Sequence, residues 1–134
     1  MIKFTITGNP VSSKNSIRSG ITKQGRNYTY TKKDVKDYKK SALEQLKHGI
    51  IYSDKMNLDL PISDYVQVSF NFYCKDNRKR DLINLIQCPA DLLQQAGIIL
   101  NDYLIINLDG SSINIDSQNP RTEITINILN KDNI

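Results

Sequence analysis

Apolar and polar residues alternate most clearly from Tyr65 to Cys74, where Val66, Val68, Phe70, Phe72 and Cys74 fall on one side and Gln67, Ser69 and Asn71 on the other. A period of two predicts a core strand. The same pattern, shorter, joins Ile2, Phe4 and Ile6 near the start, and Ile124, Ile126 and Ile128 near the end. Between them the period lengthens. Val35, Tyr38, Ala42 and Leu46, with Leu43 beside them, mark one face of an amphipathic helix of about four turns, with Thr31 as its N-cap. Residues 50–61 read as a connection. Leu82, Leu85, Ile86, Pro89, Leu93 and Ala96 mark a second helix, with Asp81, Asn84, Cys88 and Asp91 on its polar face. Pro89 is expected to kink or divide this helix, and Gly97 to close it.

Residues 103–108 read as a buried strand, Asp109-Gly110 as a turn, and residues 113–115 as a return strand. Together these elements predict an α+β fold, with a mixed or antiparallel sheet of about five or six strands packed against two helices. A length of 134 residues suits a single domain spanning 1–134. Residues 11–28 carry few apolar side chains and predict a long, flexible, basic loop, either an arm that orders on DNA or a plain mobile loop, since connections of this length are usually functional or disordered.

Composition narrows the function. No apolar run approaches the ~20 residues of a membrane span, and the alternating start is unlike a signal peptide, so a cytoplasmic protein with no membrane partner is expected. Cys74 and Cys88 are too far apart for a zinc pair, and His48 is the only histidine. The cysteines read as reduced thiols, and no serine or cysteine nucleophile has a base to activate it. The net charge is only +4, but from Lys14 to Lys47 ten basic residues face three acidic ones, while the C-terminal third is acidic. Such polarity favours a polyanionic partner. Taken alone, it is also the pattern of a solvated helix face.

The candidate chemistry lies between Lys75 and Asp102. A basic run, Lys75 to Arg80, leads into Asp81 at a helix start; the helix ends at Gly97, and Asp102 follows. A hard cation such as magnesium commonly sits on one or two carboxylates plus substrate phosphates, and this order supplies both acids and phosphate-binding charge. The acids meet only if the chain turns back at Gly97. Taken alone, Asp81 is equally a helix N-cap and Asp102 a turn residue.

Longer stretches carry a resemblance. They are the first strand leading to Pro10 and a basic loop with Asn15, then Arg78-Lys79-Arg80-Asp81-Leu82, Asn84-Leu85, Leu92, Ala96-Gly97 and Asp102, and finally Pro120 to Ile126. In these the chain resembles the RusA family of phage-type Holliday junction resolvases, small homodimeric endonucleases that cut four-way DNA junctions with magnesium. The resemblance implies catalytic, metal-binding aspartates at Asp81 and Asp102 with Asn84 beside them, Mg2+ as cofactor with Mn2+ as a substitute, and a homodimer acting on branched DNA in recombination and repair. It sets this in a bacterial or phage-infected cell. Lys14, Asn15, Arg18, Lys23, Arg26, Arg78, Lys79 and Arg80 are the expected DNA contacts. Two positions depart from the family pattern: Ile83 stands where a further aspartate is usual, and Gln87 where a lysine is. These departures keep open a weakened or inactive homologue that binds junctions or another protein.

Overall fold

The computed structural model describes residues 1–12, 17–53, 59–130, 132 and 134. In chain order its elements are β1 (Ile2–Thr7), β2 (Ile17–Ile21), β3 (Asn27–Thr31), α1 (Lys33–Ser53), β4 (Val66–Cys74), α2 (Leu82–Gln95), a 3-10 turn (Asp102–Leu104), β5 (Ile105–Asn107), β6 (Ser112–Ile115) and β7 (Arg121–Ile128).

The period-two stretch is the centre of the sheet. In β4 every second side chain from Val66 to Cys74 is buried and those between are half-buried. β7 pairs antiparallel with β4, β1 pairs antiparallel with β7, and β5 and β6 run parallel to β4 on its other side. Register then aligns apolar residues in rows across three strands: Phe4, Ile124 and Phe70 form one, and Ile2, Ile126 and Val68 another. α1 and α2 cover this face, inserting Ala42 and Leu46 from one helix and Leu85, Leu92 and Leu93 from the other into the same core. Each such large side chain removed from water contributes about 1.5–3 kcal/mol. The opposite face stays polar, with Ser112 donating to Asn71 Oδ1 at 2.7 Å. The fold is the expected α+β arrangement of two helices on a mixed sheet.

Several expectations are corrected. Residues 11–28 hold β2 and the start of β3, which form an antiparallel ribbon apart from the main sheet. Its turn closes where Thr22 N–H donates to the Arg26 carbonyl at 2.8 Å, so backbone pairing builds a hairpin where no apolar stripe announces one. α1 continues to Ser53 through Gly49, well past four turns. A Cβ at Gly49 would lie 2.9 Å from Phe4 Cδ1; the glycine is there for close packing on β1, and it ends nothing. α2 is a single helix through Pro89, whose ring is buried. Cys88 is buried rather than on the polar face, because it stands three residues after Leu85 and four before Leu92. Finally, residues 103–108 form no buried strand. Asn101 Oδ1 accepts the Tyr103 N–H at 3.2 Å and caps a 3-10 turn, leaving Tyr103, Ile106 and Leu108 exposed around the short β5.

One end of the sheet gathers three chain segments. Thr7 and Tyr73 both pair with Arg121, so β1 and β4 finish where β7 begins. Gly8 N–H donates to the Pro120 carbonyl at 3.0 Å, and Lys75 N–H to Asn9 Oδ1 at 2.9 Å. α2 starts from this corner.

Candidate functional site

The corner is built from the loop between β4 and α2. Arg80 folds back over it: Nη1 donates to the carbonyls of Asp76 at 2.9 Å and Arg78 at 3.1 Å, and Nη2 donates to Asp76 Oδ1 at 2.8 Å. The Arg78 N–H donates to the same Oδ1 at 3.2 Å. The Arg80 hydrogen bond is the main reason that the Asp76 carboxyl is held below its ordinary range, with the Arg78 N–H next. The neighbouring cations have different settings. Arg78 keeps 79% of its side chain exposed and reaches Asp76 only at 3.5 Å, against 13% exposure for Arg80. Lys79 is exposed and has no ion pair among the described residues.

Asp81 follows as the N-cap of α2. Its backbone is extended, and Oδ1 accepts the N–H groups of Ile83 at 3.0 Å and Asn84 at 3.4 Å. The cap satisfies two donors that a helix start leaves orphaned and sets the negative charge against the positive end of the helix dipole. Oδ2 bonds nothing among the described residues. Pro10 and Ser12, from the segment after β1, close the other side of a cleft whose walls are Arg78 to Asp81 and Asn84. Sequence and fold therefore bring Asp81, Asn84 and the basic run together.

Asp102 lies off α2, packed against its later turns. It begins the 3-10 turn, and its N–H donates to Gln94 Oε1 of α2 at 3.1 Å. Its surroundings are Gln87 and Asp91, over a floor that includes Ile86 and Ile105. This hollow is separate from the one holding Asp81. The two adjoin, however, because Asn84, Gln87 and Asp91 recur at three and four positions along one stripe of α2. Ile83, four residues before Gln87 and so beside that stripe, is 71% exposed.

The remaining expected DNA contacts scatter. Lys23 and Arg26 are exposed at the β2–β3 turn, Arg18 lies within β2, and Lys14 and Asn15 fall outside the described residues. Arg121, within the matching C-terminal stretch, is fully engaged: it pairs with Asp116 at 2.8 Å and Glu123 at 2.9 Å, and stacks 3.8 Å above the Tyr73 ring. Sequence reading missed the Asp76–Arg80 bond, for which the only signal is a spacing of four, and Gln94, for which there is none.

Asp81, Asn84 and Asp102 offer only oxygen, which suits a hard divalent cation. Among the described residues no three aspartate, glutamate, histidine or cysteine side chains converge as a metal cage. Magnesium tolerates this, since it keeps several waters and borrows substrate phosphate oxygens.

Comparison with known proteins matches residues 8–127 to a family described as Endodeoxyribonuclease RusA. That span contains the loop between β4 and α2, both aspartates and every strand of the main sheet except β1 and the last residue of β7. No curated protein matches.

Proposed function

This chain belongs to the RusA endodeoxyribonuclease family, and on that premise we propose that it is a magnesium-dependent, structure-selective endonuclease that cuts four-way DNA junctions in recombination and repair. The observation that carries this reading is the cleft in which a fixed Asp81 carboxylate sits beside outward-facing Arg78 and Lys79. A polyanion approaching two aspartates meets repulsion; Arg78 and Lys79 offset it and hold the neighbouring phosphates. Asp81 is held by two backbone donors before substrate arrives, so little reorganisation accompanies the reaction. Asp81 and Asp102, with the Asn84 amide oxygen, are the groups that would hold magnesium. Bound there, magnesium would supply Lewis acidity toward the phosphodiester and an activated water.

Phosphate contacts and DNA shape suffice to recognise a branched substrate. The working unit in this reading is a homodimer, which matches a two-fold junction with two sites. We assign the contact to the β5–β6 edge, where Ile106, Leu108, Ile113 and Ile115 are exposed. Residues 101–120 contain no lysine or arginine, the charge by which monomeric proteins usually protect a sheet edge. No helix among the described residues is long and apolar enough to cross a membrane, in keeping with action on DNA in the cytoplasm.

The test is cleavage of a labelled synthetic junction with magnesium or manganese, beside binding of the same junction in EDTA. Symmetric, metal-dependent nicks that vanish in Asp81→Asn and Asp102→Asn are expected. Nicks that persist in both variants would sink the assignment. Tight binding without any cleavage would instead favour the junction-binding homologue suggested by Ile83.

A further inference from the structure

We propose that Arg80 is a positioning residue, which shapes the loop so that Asp81 starts α2 and Arg78 and Lys79 face the DNA, and that it is not itself a phosphate contact. The inference rests on reading the cleft as a DNA site. Three adjacent cations look alike in sequence, but only one is tied down. The Arg80 guanidinium satisfies two loop carbonyls and one carboxylate oxygen at 2.8–3.1 Å, and only 13% of its side chain reaches solvent. A phosphate grip requires a forked face open to the ligand. For Arg80 three of the five N–H donors are committed to the loop, and a phosphate that took them would break it.

The arrangement also has a direction. Asp76 Oδ1 accepts from Arg78 N–H and from Arg80 Nη2 together, so one carboxylate holds the backbone of one cation and the head group of the other. The loop closes immediately before Asp81, whose Oδ1 must meet the Ile83 and Asn84 N–H groups. Arg80 thus acts through Asp81, Arg78 and Lys79.

The two roles differ in sign at Asp76. If Arg80 were a phosphate contact, Asp76→Asn would remove a competing negative charge and tighten binding. If Arg80 positions the loop, the same substitution weakens binding even though it makes the protein more positive. The experiment measures affinity for a fluorescent four-way junction in EDTA, with amide hydrogen exchange at Ile83 and Asn84, for the unsubstituted chain, Asp76→Asn and Arg80→Lys. The expected result is binding about tenfold weaker in Asp76→Asn, no rescue by a lysine that lacks the fork, and faster exchange at both amides. Equal or tighter binding by Asp76→Asn, or full affinity in Arg80→Lys, would overturn the proposal. If the unsubstituted chain binds no junction, the DNA-site reading itself fails, and exchange decides alone: unchanged protection in both variants overturns the positioning role.

Discussion

Arg80 and Asp76, four residues apart, are joined by a side-chain bond of 2.8 Å and a second bond of 2.9 Å from the same guanidinium to the Asp76 carbonyl. The pair makes the fold sensitive to acid. The Asp76 carboxyl is held below its ordinary value of 3.8 in the folded chain, chiefly by Arg80. Its contribution is therefore present above pH 3.8 and lost as pH falls through the lower folded value. Asp116, bonded to Arg121, behaves alike. Thermal unfolding followed from pH 7 down to pH 2 should show a midpoint that drops below about pH 4. In Asp76→Asn the drop should be shallower, from a start already lower.

Capping and charge can be separated at Asp81. Asparagine is about as good an N-cap as aspartate, whereas alanine costs roughly 1 kcal/mol. Urea unfolding should thus find Asp81→Asn within about 0.5 kcal/mol of the unsubstituted chain and Asp81→Ala lower by roughly 1 kcal/mol. Junction cleavage should fall at least a hundredfold in both. An active Asp81→Asn with full stability would leave the carboxylate with a structural role only.

Gly49 offers a test of packing. Alanine usually gains up to about 1 kcal/mol over glycine inside a helix, but here its Cβ would press Phe4 at 2.9 Å. Overpacking should win, and Gly49→Ala is expected to lower stability by about 1–2 kcal/mol. Combining it with Phe4→Leu should recover part of the loss, which a double-mutant cycle by thermal unfolding would read.

The β5–β6 edge predicts the oligomeric state. Ile115 is 59% exposed, so lysine there should leave the fold nearly unchanged, within about 0.5 kcal/mol. Sedimentation equilibrium should show a dimer for the unsubstituted chain and a monomer for Ile113→Lys/Ile115→Lys. A variant that stays dimeric would move the interface elsewhere.

Part of this fold is legible in the sequence alone. The alternation in β4 announces a strand because a two-sided sheet imposes that period, and Asp81 announces a helix start because few other residues cap so well. Other features depend on partners far away in sequence. The need for glycine at position 49 shows only when Phe4, 45 positions earlier, is seen against it. The β2–β3 ribbon is held by its own backbone, to which composition is blind. Arg78, Lys79 and Arg80 form one run in the sequence, while burial separates them sharply. Cys88 differs for a simpler reason: the core stripe of α2 is wide enough to reach a residue that spacing alone sets beside Asn84 and Asp91. Asp102 is marked in the sequence only by its place after Gly97, and the family pattern gives that place a role.

α2 carries Asp81 at its first turn and, through Gln94, holds the backbone of Asp102 near its last. The two acids are thus mounted on one rigid bar rather than on independent loops. A substrate that tilts the bar by leaning on Arg78 and Lys79 would displace both acids together, and their mutual spacing would survive the movement.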